Sequence, residues 1–97
     1  LIGCLCYCDW DMFWTRHPHA RTHMLLRWIS GGPIYCSDKL GETDSAPLAP
    51  LFDADGNLTH PDGVGVPVLD SLLADPVHGD VPLGIRNTFR GDASACI

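Results

Sequence analysis

Asp9, Asp11 and Asp38 are the residues whose types and spacing could do chemistry on a polar ligand. Asp9 and Asp11 flank Trp10 directly after the apolar run 1–8, and Asp38 follows a second apolar run, Pro33-Ile34-Tyr35-Cys36-Ser37. Carboxylates accept hydrogen bonds from hydroxyl groups, and an aromatic ring stacks on the apolar face of a sugar. Acids and an aromatic at the carboxyl end of a buried strand are what a barrel or an open α/β sheet presents to its ligand. Alternation along a strand turns Asp9 and Asp11 the same way, with Trp10 opposite. An isolated acid after a strand is commonly a helix cap or turn former. Asp11 stands too far from the helix start at Pro18 to be its cap, and Asp38 is followed by loop.

Other constellations carry less. His19 and His23 have the spacing of the H-E-x-x-H zinc site, but Ala20 stands where its general-base glutamate belongs, and Arg21 follows. Asp53, Asp55 and Asn57 resemble the start of a calcium loop. Gly56 comes too early and Val64 stands where the bidentate glutamate is needed, so a plain turn fits better. Gly31-Gly32 follows a helix and precedes a strand, the reverse of a phosphate cradle; helix capping accounts for it.

The elements that must position these acids follow from periodicity. Residues 1–8 are apolar throughout, which predicts a buried strand. His17-Pro18 opens a helix whose buried face is Ala20, Met24, Leu25, Trp28 and Ile29. Ser30-Gly31-Gly32-Pro33 stops it, and residues 33–37 form a second strand. A helix between two apolar strands is a βαβ unit with parallel strands. Asp44-Ser45 caps a short helix limited by Pro47 and Pro50. Residues 59–67 read as loop, 68–73 as a short strand or helical turn, and 75–80 as loop. Residues 83–89 alternate apolar with polar or small residues, a strand with one wet face.

Composition bounds the class. The 97 residues are 45% hydrophobic and 19% charged, one globular domain or part of one. A formal net charge of −6 argues against nucleic acid or an anionic membrane as partner. No apolar run is long enough to span a bilayer. Of the 5 cysteines, Cys4, Cys6 and Cys8 alternate along one strand face, where disulfide geometry is rare. They read as buried thiols in a reducing, cytoplasmic compartment. Both chain ends read as cuts in a longer protein.

Taken together, Asp9-Trp10-Asp11-Met12-Phe13, His17-Pro18, Ala20, His23, Arg27, Ile29-Ser30-Gly31-Gly32-Pro33, Tyr35 and Ser37-Asp38 resemble the raffinose synthase and seed imbibition protein group of glycoside hydrolase family 36. The likeness continues through Asp55-Gly56, Pro67, Asp70, Leu72, Asp75-Pro76, Leu83, Ile85 and Asn87. The resemblance implies a catalytic (β/α)8 barrel followed by a carboxyl-terminal β-sandwich. Residues 1–79 would close the barrel, with strand seven at 1–8, its helix at 18–29 and strand eight at 33–37. Residues 80–97 would begin the β-sandwich. The implied chemistry is cleavage or transfer of an α-galactoside with retention, needing no cofactor. One carboxylate attacks the anomeric carbon and a second serves as acid and then base. The resemblance places both on earlier strands, so no catalytic residue falls in this segment. Asp9, Trp10 and Asp11 are expected in the wall of the substrate pocket, with Asp38 beside them. The segment alone would be inactive and poorly folded. Arg21, Leu69 and Arg86 depart from the plant members and suggest a divergent, microbial one. The rival readings are a non-catalytic carbohydrate-binding or interaction domain and a glycosidase barrel of another sugar specificity.

Overall fold

The structure is a computed structural model and describes residues 5, 6 and 8–96. Its elements are α1 (Ala20–Ser30), a 3-10 turn (Ala49–Leu51), β1 (Val66–Pro67), α2 (Leu69–Leu72), β2 (Ile85–Phe89) and β3 (Asp92–Cys96).

Helix α1 begins later than Pro18 because the chain first makes turns. His17 N–H donates to the Trp14 carbonyl (3.1 Å) and Ala20 N–H to the His17 carbonyl (2.9 Å). The helix ends where Gly31 takes a left-handed φ of 73° and returns its N–H to the Trp28 carbonyl. A Cβ at Gly31 would overlap the Gly63 carbonyl oxygen, so glycine is required there twice over. The buried stripe is Ala20, Met24, Arg27 and Ile29. The expected stripe held Leu25 instead of Arg27; Leu25 is 41% exposed. A buried arginine is tolerated because both of its terminal nitrogens find main-chain acceptors, as described below.

Two small cores flank the helix. Phe13, Ala20, Met24 and Leu51 form one, with Ile34 and Leu48 against it. Ile29 and Ile85 form the other, with Leu26 and Leu83. Trp28 packs on both, donates its indole N–H to the Thr59 carbonyl (3.0 Å) and meets the Phe89 ring at 5.8 Å between centroids.

The sheet is antiparallel, in the order β1-β2-β3. Strand β2 occupies the alternating run at 83–89, with Ile85 and Asn87 turned inward. It turns into β3 through Arg90 (φ 52°) and Gly91 (φ 83°). Two left-handed residues in succession are what a two-residue hairpin turn needs. The Asp62 carboxylate, arriving from a separate loop, accepts both of their N–H groups. The stretch 68–73 resolves as the short α2. The expected helix near 44–52 shrinks to the 3-10 turn, because Pro47 and Pro50 offer no N–H for a longer ladder.

The first half departs from its expected strands. The expected strand at 1–8 lies largely on 1–4 and 7, outside the described residues; Leu5 and Cys6 sit in a turn and a bend. Residues 33–37 form no strand ladder. They do run beside 8–15 in the same direction. Gly32 abuts the Cys8 carbonyl, Ser37 N–H bonds the Phe13 carbonyl (2.7 Å), and Thr15 N–H bonds Asp38 (2.8 Å). The physical reason for the missing ladder is competition. The carbonyls of Trp10, Asp11 and Met12, of which a neighbouring strand would use alternate ones, are taken by the Arg27 guanidinium. The thiols also depart from expectation: Cys6, Cys8 and Cys36 are exposed, since no sheet among the described residues covers them.

Residues on either side of position 80 share one packed unit. Strand β1 pairs with β2, and Asn87 reaches back to the helix carbonyl of Ile29 (2.8 Å). No helix of the described residues is long and apolar enough to cross a membrane.

Candidate functional site: an arginine-held acidic and aromatic loop

The loop 9–14 follows Cys8 and crosses one face of α1. Arg27 sits beneath it, 4% exposed. Its Nη2 donates to the carbonyls of Trp10 (3.0 Å), Asp11 (3.2 Å) and Met12 (2.9 Å), and its Nη1 to that of His23 (3.1 Å). The guanidinium carbon lies 5.0 Å from the centre of the Phe13 ring, a cation–π distance. Carbonyls along a regular strand point alternately to opposite sides. Three in a row converge here because Asp11 is left-handed, with φ 61°, a conformation that aspartate tolerates better than most residues.

The ring of Trp10 is fixed separately. Its Nε1–H donates to Ser30 Oγ (2.8 Å), and that hydroxyl donates to the Arg27 carbonyl (2.7 Å). Arg27 and Ser30, one helical turn apart, thus hold both the backbone and the side chain of the loop.

The acids divide into held and unheld groups. One Asp9 oxygen accepts the Asp11 N–H (2.9 Å), closing a local turn, and the other accepts the Tyr35 hydroxyl. The Tyr35 bond is the main reason that the Asp9 carboxyl lies below its ordinary range; the Arg27 charge adds to it. The same bond pushes the Tyr35 hydroxyl up. Both Asp38 oxygens are engaged by Thr15, which is 1% exposed: one by its N–H and one by its hydroxyl, each at 2.8 Å. The Thr15 hydroxyl in turn accepts the Asp44 N–H (2.7 Å). Asp38 therefore stitches two loops together. Asp11 is exposed, and its carboxylate makes no hydrogen bond to the described residues.

A cleft of about 410 Å³ opens beside this loop. Cys8, Asp9 and Trp10 form one side, and Ser30, Gly31 and Gly32 the other. Trp10 also borders a shallower hollow toward His19, His23 and Leu26. Asp11 and Asp38 line neither. The three histidines 17, 19 and 23 gather at centroid distances of 5.6 Å and 5.0 Å from His17. Desolvation, then the charges of His17 and Arg27, pushes His23 below its ordinary range. Among the described residues no group of His, Cys, Asp and Glu is arranged to hold a metal ion. Burial raises the Cys36 thiol, which disfavours its nucleophilic form.

Arg27, Ser30 and Tyr35 were not singled out from the sequence as parts of the site. A signal for Arg27 existed: it falls three residues after Met24 and seven after Ala20, inside the apolar stripe. A charge in that stripe asks for buried acceptors. Ser30 and Tyr35 carried no comparable signal.

Comparison with known proteins decides the ancestry of this arrangement. Residues 1–89 match the family described as raffinose synthase or seed imbibition protein Sip1. The chain belongs to this family. A galactinol–sucrose galactosyltransferase of Oryza sativa subsp. japonica is 40% identical over 90 residues, 92% of this chain and 12% of that protein. A probable galactinol–sucrose galactosyltransferase 5 of Arabidopsis thaliana is 43% identical over 80 residues, 81% of this chain and 10% of that protein. The stachyose synthase of Pisum sativum is 38% identical over 69 residues, 71% of this chain and 8% of that protein. The chain thus spans roughly a tenth of the length of these relatives.

Proposed function

We propose that this segment forms one wall of the α-galactoside pocket of a galactosyl-transferring enzyme, with its catalytic carboxylates elsewhere in the full-length protein. The observation that carries the reading is the Arg27-held loop. It leaves the Asp11 carboxylate exposed, with no hydrogen bond among the described residues, and fixes the Trp10 ring beside a cleft, and it lies in a chain whose relatives include proteins named as galactosyltransferases. An exposed carboxylate accepts sugar hydroxyls, and an indole face stacks on the apolar side of a galactosyl ring. Asp9 shapes the loop and leaves fewer lone pairs for substrate. Asp38 serves the wall by fixing its neighbours through Thr15.

The architecture follows the same proposal. Residues 1–79 supply the last βαβ part of a (β/α)8 barrel, and 80–97 begin a β-sandwich. Co-directional runs at 8–15 and 32–38, with α1 between them, support the first part. The antiparallel sheet supports a change of architecture in the second half, its first strand, Val66–Pro67, lying ahead of residue 80. The substrate is an α-galactoside or oligosaccharide such as galactinol, and the protein works in the cytoplasm.

The test is product analysis. The full-length protein is incubated with galactinol, with and without sucrose, and products are resolved by chromatography. Transfer gives a galactosylated sucrose that depends on both sugars, whereas hydrolysis gives free galactose from galactinol alone. A protein that binds α-galactosides but turns over none of them would instead be a carbohydrate-binding module.

A further inference from the structure

Arg27 is the one buried charge on α1, and it has no carboxylate partner among the described residues, where the ion pairs are Lys39–Glu42 and His78–Asp75. A buried cation without a counter-charge is costly unless its donors are all met. Here both terminal nitrogens donate to main-chain carbonyls, and three of these belong to consecutive residues of the loop that carries Asp9, Trp10 and Asp11. A hydrophobic residue at this position would complete the Phe13–Met24 core at lower cost. What it could not do is turn three successive carbonyls to one side and so hold Asp11 in a left-handed conformation.

We propose that Arg27 is a positioning residue for galactoside recognition: its guanidinium imposes the left-handed turn at Asp11 and so aims the Asp11 carboxylate and the Trp10 ring at the sugar. The inference rests on the pocket-wall reading above and assigns that wall its organising group. The planar fork of arginine matters as much as the charge. One nitrogen shared among three carbonyls while another reaches the His23 carbonyl is a geometry that a lysine ammonium cannot reproduce. Ser30 assists from the next turn by receiving the Trp10 indole N–H.

A group that aligns the pocket wall changes substrate affinity more than turnover, because the wall contacts sugar in ground and transition states alike. The test uses the full-length protein and an aryl α-galactoside. Arg27→Lys keeps charge and bulk and should raise KM about tenfold while kcat stays within about threefold. Arg27→Ala should lose affinity further, and guanidinium ion at sub-denaturing concentration should restore it where ammonium ion does not. Asp11→Ala should show no such rescue. An unchanged KM in Arg27→Lys overturns the inference, as does an Arg27→Ala protein whose thermal midpoint falls while its KM holds. Should Arg27→Ala fail to fold, the KM of Arg27→Lys decides alone. A wild-type protein that turns over no α-galactoside removes the pocket-wall reading itself, and this inference with it; an active wild type with an indifferent Arg27→Lys removes only this inference.

Discussion

Arg27 and Asn87 are both buried polar side chains that gather main-chain groups from distant loops, yet they hold very different things. Asn87 is neutral. Its amide donates to the carbonyls of Ile29 and Gly63, each at 2.8 Å, and its oxygen accepts the Thr88 N–H (2.8 Å). Everything it ties is scaffold: the end of α1, the loop before β1 and strand β2. Arg27 carries a full charge, and what it ties is a loop bearing exposed acids and an exposed tryptophan. A neutral amide suffices to join backbone to backbone. Burying a cation is worth its desolvation cost where the segment above it must take an unfavourable shape and keep it. On the pocket-wall proposal, the contrast separates a region built for cohesion from one built for presentation.

The comparison can be broken or sharpened by substitution, first where the two regions meet. Gly31 caps α1, borders the cleft and abuts the carbonyl that Asn87 also binds. Gly31→Ala adds a left-handed non-glycine residue and a steric overlap, and should cost about 3 kcal/mol. It should damage both stability and galactoside KM; loss of only one would show that the regions are less connected there than the contacts imply. Urea unfolding of the full-length protein beside steady-state kinetics reads both. Asn87→Ala leaves two carbonyls without their donor and should cost about 2 kcal/mol in the same unfolding experiment, with KM unmoved. A raised KM for Asn87→Ala would erase the distinction between scaffold and site. Asp62→Ala should act more locally still. The Arg90 and Gly91 amides, now bonded to Asp62, should exchange hydrogen faster while the amides of α1 are unaffected.

On the presenting side, Tyr35→Phe should act through a carboxyl titration. Asp9 is depressed chiefly by the Tyr35 hydroxyl. A carboxyl with a lowered folded pKa adds stability above its unfolded value of about 3.9, and loses it as pH falls through the folded value. Tyr35→Phe should therefore move the Asp9 carboxyl upward, narrowing that window at its acid end. Carbon-13 NMR of the side chain reads the titration directly, and an Asp9 midpoint identical in both proteins would show that the bond is not what sets it.

How much of this the sequence disclosed follows from what each element depends on. Local codes were legible. The helix, its glycine cap, the Asp53–Asn57 turn and the alternating strand β2 all depend on residues within a few positions of one another. Asp53 indeed accepts the N–H groups of Asp55 (3.0 Å) and Asn57 (2.8 Å). Acids and Trp10 also drew attention to the loop that Arg27 holds. What stayed hidden depends on distant partners. Arg27 reaches back 15 to 17 residues for its carbonyls, and a buried arginine cannot be told from a surface one by type. Asp38 looked like a ligand group because nothing near it in sequence claims it, whereas Thr15, 23 residues earlier, takes both its oxygens. The hairpin turn at Arg90-Gly91 was missed because arginine is a poor candidate for a left-handed position, and the Asp62 carboxylate that steadies it comes from 28 residues earlier.

The central claim is that the carboxylate of left-handed Asp11, which bonds to none of the described residues, faces the sugar. Asp11→Ala in the full-length protein, assayed on an aryl α-galactoside beside its thermal midpoint, tests it most directly. Loss of a charged hydrogen bond to substrate should lower kcat/KM about tenfold to a hundredfold and leave the midpoint almost where it was. An unchanged kcat/KM, or a fall in it matched by a fall in stability, would contradict the account.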